Sequence, residues 1–468
     1  MRSQVSALVV SVLLATSGLA SAKEQLTVEQ AVDLALKQNL RLMASHKRAE
    51  AGHDVALSAG GRMLPAVHLS EEFQHWDCAA ALSLANFAGG AQCKDDVIKY
   101  AKDHPVSTAG LSAAELNLLG PLFAGPPIIA RGQNTNSFVA TISQPILGLL
   151  HLGYDYSAAH ETAKAGDQQL KVAQAATVQA VRTAYLQTYE ARALEQIAIA
   201  SVTELQDQVK VSQARLKAGV ITNADLLRVE VAEANARQQQ IVAHTSGITT
   251  TAQLLDALGL RPDDDVELVE PSTLLDQSAA ALPDLGLATT QAEAHRPEVA
   301  QLKLTMASSD SNRKARYFSL LPEVDAEGGY IRTDGQLFAP ANQWYVGVKA
   351  TWTIWEWGAS FFQARAASKQ AQAAALDLED QKRGVAVEVH NAVAQTQAAA
   401  VAVDVAKEAI ASAQEAYRVE LALVQAGSAT TTDLLNSQSE LTTARLNYAR
   451  ARYDLAIQHV ALTRVMGN

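Results

Sequence analysis

The sequence predicts a mainly α-helical chain made of two repeats, each contributing a long helical hairpin and two strands, with the strands forming the membrane β-barrel portion of the molecule. Three observations predict this fold: an internal duplication, a composition rich in small apolar residues, and short alternating segments that carry the tryptophans. Hydrophobic residues make up 48% of the chain but aromatic residues only 5%. That balance favours long helices packed through small side chains.

The duplication aligns residues 211–259 with residues 419–467, at a constant offset of 208 positions and without a gap. In both copies a helical segment ends at Ala-Gly, and a new helix begins at a threonine three residues before an aspartate. These pairs are Thr222 with Asp225 and Thr430 with Asp433. Glycine just past a helix supplies the left-handed residue that closes it, and Thr-x-x-acid is an N-terminal capping box. The sequence therefore predicts two helical hairpins with equivalent tips.

The domain organisation follows from these repeats. Residues 1–22 are typical of a secretory signal peptide, with one arginine, a short apolar stretch and Ala-Ser-Ala at the cleavage site. Repeat 1 covers 23–259, a Pro- and Asp-rich crossing segment covers 260–283, and repeat 2 covers 284–468. No cysteine follows the cleavage site to take a lipid anchor, and no run of about 18 apolar residues follows to span a bilayer as a helix.

Each repeat is predicted to contain a helix, a strand, a loop, a second strand, a long helix, a tip turn and a return helix. The first helix of repeat 1 is predicted to be continuous from Leu26 to Met63, with Thr27 as its cap. Proline ends the opening helix of each repeat, at Pro65 and Pro322, and strands follow. The second strands are predicted at Ser137 to Leu147 and Trp344 to Trp355, and the long helices from near Tyr156 to Lys217 and from near Phe361 to Gln425.

Residues 74–136 form an insert without a counterpart of equal size in repeat 2. It contains both cysteines of the chain, Cys78 and Cys93. Two cysteines this close together in an exported protein are expected to form a structural disulfide. A metal or redox role would need more ligands than this loop offers.

All five tryptophans lie in or beside predicted strands: Trp76, Trp344, Trp352, Trp355 and Trp357. Tryptophan at strand ends forms the aromatic belts of membrane barrels. The alternative, a buried tryptophan cluster in a soluble sheet, would leave a small sheet without a second layer. Four strands per chain cannot close a barrel of sufficient size, and open edges are not tolerated in lipid, so closure needs several chains.

Several function classes find no support in the sequence. The net charge of -11 and the absence of a Lys/Arg run argue against a nucleic-acid partner. No phosphate-binding loop, nucleophile elbow or zincin motif occurs, and the segment from His68 to His75 matches no metal-ligand spacing. The sequence therefore predicts no enzymatic activity, no cofactor and no metal.

The chain resembles the TolC family of outer-membrane efflux and secretion channels over essentially its whole mature length. The features in common are the opening LTVEQAVDLALKQN, the Leu-Pro junctions, SQPIL before a long helix, and the paired AG…T..DLL tips. The resemblance implies a homotrimer whose 12-stranded β-barrel, in outer-membrane lipid, is continuous with an α-helical barrel with coiled-coil packing in the periplasm. It also implies a passive channel that docks to a periplasmic adaptor (membrane fusion) protein and an inner-membrane pump, for efflux of small molecules or type I secretion in a Gram-negative bacterium.

The same resemblance implies roles for residues at the tips. Asp225, Asp433 and Asn436 are expected at the periplasmic constriction, although capping alone explains the two aspartates equally well. In the best-known member the gate latch uses a tyrosine and an arginine where this chain has Val424 and Ala429, so that latch is not expected here. Adaptor contacts are expected at Gly219, Val220, Thr222, Gly427, Ser428 and Thr430.

Two other classes of protein compete with the channel. One is a membrane-anchored trimeric coiled-coil adhesin, but its barrel strands would form one C-terminal block, whereas here strands are predicted inside both repeats. The other is a soluble periplasmic helical scaffold, which outer-membrane fractionation would distinguish from a channel. The cargo cannot be inferred from the sequence.

Overall fold

The computed structural model describes residues 25–82, 92–103, 112–113, 128–278 and 283–467. The predicted signal peptide lies outside the described residues. The chain divides into two compact units that interleave along the sequence. We call them the helical unit, which comprises 1–48, 167–300 and 379–468, and the strand unit, which comprises 49–166 and 301–378.

The elements fall into two halves of the chain that a crossing segment separates. In the first half of the chain they are β1 (Gln25–Leu26), α1 (Val28–Gln38), α2 (Leu40–Gly61), β2 (Ala66–His75), β3 (Ala80–Leu82), β4 (Gln92–Cys93), α3 (Lys94–Asp103), β5 (Ile128–Pro145), α4 (Leu149–Lys217) and α5 (Asn223–Leu258). A crossing segment with β6 (Glu267–Leu268) and α6 (Ser272–Gln277) leads to α7 (Leu285–His295), α8 (Pro297–Phe318), β7 (Glu323–Gln336), β8 (Asn342–Thr351), α9 (Ala359–Gln425) and α10 (Thr431–Val465).

The prediction of one continuous helix from Leu26 to Met63 is wrong, because the helix breaks at Asn39. Asn39 has an extended backbone, and its side-chain oxygen accepts hydrogen bonds from the backbone N–H groups of Arg41 and Leu42 at 3.0 and 3.2 Å. This arrangement caps the start of α2. The cap predicted at Thr27 is confirmed, and it forms a full capping box with Gln30.

A tertiary contact explains where the break lies. Gly259 ends α5 with φ of 78°, and a Cβ atom there would lie 3.0 Å from the carbonyl oxygen of Gln38. In repeat 2 the corresponding Gly467 lies equally close to Arg296, which separates α7 from α8. The end of each return helix therefore packs against the junction between the two opening helices of its own repeat.

Other boundaries differ from the prediction by a few residues. Strand β5 begins at Ile128 rather than Ser137, because its first residues pair with β3 of the insert. Strand β8 ends at Thr351 rather than Trp355, and Trp357 (φ 57°) with Gly358 (φ 79°) turns the chain into α9. The long helices contain 69 and 67 residues and begin a little earlier than predicted, at Leu149 and Ala359.

The core of the helical unit lies around the first residues that the structure describes. Strand β1 pairs in parallel with β6, and the Tyr185 hydroxyl donates to the carbonyl oxygen of Leu26 at 2.8 Å. Tyr185 is fully buried, and burial is the main reason that its pKa is raised far above the usual range of a tyrosine. The surrounding apolar cluster draws on α1, α4, α5, β6, α6 and α10.

The strand unit contains an antiparallel sheet with the order β4-β3-β5-β7-β8, and β2 also pairs with β5. Strands β2 and β8 have 10 residues each, which is the length that a tilted strand needs to cross a bilayer. None of the helices in the described residues carries an apolar stretch sufficient to cross a lipid bilayer.

Candidate functional site

The two tips, residues 218–222 and 426–430, have the same backbone geometry. Gly219 and Gly427 adopt left-handed φ values of 71° and 76°. At each tip the glycine N–H and the next residue's N–H donate to carbonyl oxygens of the helix that ends there: Gly219 to Leu216 and Val220 to Arg215, and Gly427 to Val424 and Ser428 to Leu423. This paired closure leaves few free carbonyl groups at the helix end. Val220 remains 62% exposed.

The return helices begin with equivalent capping boxes. At tip 1 the Thr222 backbone N–H and hydroxyl donate to the Asp225 carboxylate at 3.1 and 2.7 Å. At tip 2 Thr430 makes the same bonds to Asp433, at 3.0 and 2.6 Å. The threonine side-chain bond is the main reason that the pKa of each aspartate lies below its ordinary value. Both carboxylates are therefore caps and remain charged.

The surroundings of the two aspartates differ. Arg228 lies 3.5 Å from the Asp225 carboxylate and also donates to the Thr432 hydroxyl at 3.3 Å. The position equivalent to Arg228 in repeat 2 is Asn436, which is exposed. Arg228 and Asn436 thus occupy matching places one turn into the return helices, and only the first repeat has a cation there.

The sheet of the strand unit has one apolar face. Along β8, Trp344, Val346 and Val348 alternate with more polar residues and are 81%, 94% and 69% exposed. They lie opposite Tyr330, Gly328 and Ala326 of β7. The same face continues onto β5 and β2, where its members include Ala140, Ile142, Val67 and Leu69.

The other face of the sheet is polar and mainly acidic. It carries Glu323, Asp325 and Glu327 of β7, with Lys349 of β8 positioned 3.8 Å from Glu327. Tyr345 also lies on this face, and its ring covers Gly329 so closely that a Cβ atom at Gly329 would lie 2.6 Å from it. The alternation matches a strand with one side in lipid and one side in water.

Four of the five predicted belt tryptophans are highly exposed. Trp344 lies near the start of β8, and Trp352, Trp355 and Trp357 follow its end with exposures of 59%, 73% and 87%. Trp76 differs, because its indole N–H donates to the buried Thr135 at 3.0 Å and the Arg131 guanidinium lies 3.7 Å above its ring. Tryptophans thus flank the apolar face of β8 at both ends.

A disulfide closes part of the insert. Cys78 and Cys93 are bonded to each other, with their Cα atoms 5.5 Å apart. Cys93 belongs to β4, which pairs with β3, and β3 in turn extends the pairing of β5 beyond the end of β2. The described residues contain no group of three or more His, Cys, Asp or Glu side chains that could hold a metal ion.

Sequence reasoning missed the residues that connect the two hairpins. The Arg215 guanidinium donates to the carbonyl oxygen of Val424 at 3.0 Å, and Arg445 pairs with Glu204 at 2.9 Å. These contacts depend on how the hairpins pack, which spacing does not encode. One signal was available for Arg228, because it stands where the second repeat has Asn436, the residue that the resemblance predicts at the constriction.

The fold and these surfaces define an exported protein with a lipid-compatible sheet and long, closed helical hairpins. The chain belongs to the outer membrane efflux protein family, whose model matches residues 128–260 and 288–468. It is accordingly an outer-membrane protein of a Gram-negative bacterium.

Individual relatives agree with this assignment. The outer membrane efflux protein BepC of Brucella suis is 24% identical over 287 residues, an alignment that spans 61% of each protein. The structure of CusC matches with a TM-score of 0.76 and 15% identity, covering 98% of this chain and 96% of CusC. The CmeC outer membrane channel of Campylobacter jejuni matches with a TM-score of 0.72 and 14% identity, covering 94% and 85% of the two chains. The predicted fold class is thereby confirmed.

Proposed function

We propose that this protein is the outer-membrane exit channel of a tripartite export system. The observation that carries the proposal is the exposed apolar face of the sheet, where Val346 is 94% exposed and tryptophans flank the strand. A water-soluble protein would cover such a face, whereas a lipid bilayer solvates it. The acidic opposite face then lines a water-filled passage.

The edges of the sheet support a trimer. Among the described residues, β8 pairs with β7 alone and β2 with β5 alone, so both strands have an unpaired side. Unpaired backbone groups are costly in lipid, and closure between copies removes them. Three chains with four long strands each give about 12 strands, an even number within the usual range for such barrels.

The tips support a docking role. Both tips are closed by backbone hydrogen bonds, and the residues expected to contact the adaptor are all exposed: Gly219, Val220 and Thr222 at tip 1, and Gly427, Ser428 and Thr430 at tip 2. Such turns suit contact with the helical hairpin of a periplasmic adaptor. The sequence carries no phosphate-binding motif, so an inner-membrane pump would supply the energy for transport.

Membrane fractionation and conductance test this proposal. The protein should be recovered with the outer membrane, and the purified protein should form discrete ion-conducting channels in planar bilayers. Recovery in the soluble periplasmic fraction would contradict the proposal, as would stable insertion without any conductance from the parent or from variants that loosen the tips.

A further inference from the structure

The apolar face of the sheet ends in a row of aromatic side chains. Helices α2, α4, α8 and α9 all connect to one end of the four long strands, and the row lies toward the other end. Each long strand contributes one ring to the row: Phe73, Phe138, Tyr330 and Trp344. The ring centroid of Tyr330 lies 4.7 Å from that of Trp344 and 6.5 Å from that of Phe138. Such a row marks the level at which a membrane sheet passes from hydrocarbon to headgroups.

A cation stands directly beyond this aromatic row. Arg332 follows Tyr330 by two residues along β7, so its side chain leaves the same face of the sheet about 7 Å farther toward the strand ends. It lies opposite Phe138 of β5 in the strand register. Strands β7 and β8 contain one other cation, Lys349, which lies on the acidic face beside Glu327. Arg332 is therefore placed at headgroup level on the face that meets lipid.

The guanidinium of Arg332 is oriented by one bond and keeps donors for another partner. Its Nε donates to the Asp334 carboxylate at 3.2 Å, and the Arg332 side chain is 58% exposed. Neither Nη nitrogen has a hydrogen-bond acceptor among the described residues. Glu71, two strands away on the same face, accepts a hydrogen bond from Asn136 at 3.3 Å. Arg332 can thus hold a second anion while it stays paired with Asp334.

A phosphate group is the anion that this position favours. A lipid whose acyl chains cover Val346 and its apolar neighbours carries its phosphate just beyond the aromatic row, at the level of Arg332. The planar guanidinium, with two nitrogen atoms still available, matches two oxygen atoms of one phosphate group. Because the helices connect to the opposite end of the strands, this end faces the outer leaflet when the helices extend into the periplasm. Phosphorylated glycolipid is the characteristic lipid of that leaflet in a Gram-negative bacterium.

We propose that Arg332 binds the phosphate group of a phosphorylated glycolipid in the outer leaflet, while the adjacent aromatic row contacts the first segments of its acyl chains. This inference rests on the proposed function, because it requires the apolar face to lie in lipid. Asp334 orients the guanidinium through Nε, and the two Nη nitrogens donate to the phosphate. Each chain supplies one such site, on the outer surface of the sheet and away from the passage.

Lipid retention by the purified full-length protein tests the site. The protein in detergent is mixed either with bis-phosphorylated lipid A or with the same lipid after its phosphates have been removed. Lipid that remains bound after gel filtration is measured by mass spectrometry. The parent should retain several-fold more of the phosphorylated lipid, and Arg332→Gln should abolish that difference. Lys349→Gln is the matched control, because it removes a cation that also lies beside a carboxylate but on the other face, and it should retain lipid as the parent does.

A second variant separates phosphate binding from loss of the ion pair. Asp334→Asn also breaks the pair, but asparagine still accepts the Nε bond and removes a negative charge, so retention should equal or exceed that of the parent. Equal losses in Arg332→Gln and Asp334→Asn would overturn the site, as would displacement of the lipid by excess inorganic phosphate, which would assign Arg332 to a free anion. Equal retention of both lipids by a parent that conducts in planar bilayers would overturn the lipid site alone. A parent that inserts without conducting would instead overturn the proposed function.

Discussion

At the residue scale, the carboxylates of Asp225 and Asp433 complete the capping boxes of the two return helices. Each accepts bonds from its capping threonine, and those bonds lower its pKa. A lowered folded-state pKa means that the cap contributes stability above the ordinary aspartate pKa, about 4. That contribution is lost as the pH falls through the lower, folded-state pKa. At neutral pH both carboxylates are therefore fully charged.

We expect the two aspartates to contribute unequally to cation selectivity. Asp433→Asn should reduce the preference for cations more than Asp225→Asn, because Arg228 already offsets the charge of Asp225. Asparagine can accept the same capping bonds but carries no charge, so helix stability should fall only by the part that depends on ionisation of the aspartate. Reversal potentials in a salt gradient measure the preference. In the parent the preference should persist as the pH is lowered to about 4 and decline below that value. Equal effects of the two substitutions would show that Arg228 does not offset Asp225.

A residue-scale test in the sheet uses Gly329, whose Cβ position is occupied by the ring of Tyr345 and lies 3.0 Å from the Ala140 carbonyl oxygen. Gly329→Val should destabilise the folded protein by about 1–3 kcal/mol, the usual range for overpacking. The matched control is Gly347→Val on the neighbouring strand, where no atom lies within 4 Å. The measurement is thermal unfolding in detergent. Tyr345→Ala should restore part of the loss, and equal losses at both glycines would contradict the steric explanation.

At the element scale, the duplication is visible in single hydrogen bonds. Thr188 of α4 and Thr396 of α9 are buried, and each donates to a carbonyl of its own helix and of the adjacent return helix. The partners across the hairpins are Thr250 and Gln458, again 208 positions apart. A buried threonine thus connects each long helix to its return helix at equivalent positions of the two repeats.

Removing these hydroxyl groups should weaken each hairpin. Thr188→Val keeps the side-chain shape and leaves the Thr250 carbonyl with one partner fewer, at a cost of about 1 kcal/mol. Thr396→Val should cost less, because its cross-helix distance is longer, 3.4 Å against 3.2 Å. Thr203→Val is the control, since Thr203 is exposed and bonds only its own helix among the described contacts. Thermal unfolding followed by circular dichroism measures all three, and a control that loses as much as Thr188→Val would rule out the cross-helix contribution.

The element scale also shows how far sequence reasoning reaches. Periodicity and capping signals placed the tips, the return helices and the cap at Thr27 correctly, because those features are set by local residues. The break at Asn39 has no proline or glycine to mark it and is fixed by contact with Gly259, 220 positions away in the sequence. Repeat 2 contains a signal for the same break. The position equivalent to Asn39 is Arg296, and it is followed by Pro297, which favours the start of a new helix.

At the scale of the whole molecule, a single chain exposes an apolar sheet face and two strand edges that an oligomer in a membrane would cover. The apolar face has no second layer among the described residues, and β2 and β8 each have an unpaired side. The sequence indicated that several chains are needed, because it shows four strands. The sequence could not indicate which strands of neighbouring copies pair, because that pairing depends on how the edge strands β2 and β8 align in register.

We therefore expect the detergent-extracted protein to be a trimer, with a protein mass by light scattering of three times that of one chain. Cysteine cross-linking tests the strand pairing. The disulfide-free Cys78→Ser, Cys93→Ser background is used, and Leu69→Cys of β2 is combined with single cysteines along β8. Because successive side chains of a strand face opposite sides, cross-links between chains should form from one alternate set, among positions 344, 346, 348 and 350, and not from 345, 347 or 349. A stable folded monomer, or cross-linking that does not alternate, would contradict a barrel closed by pairing of β2 with β8.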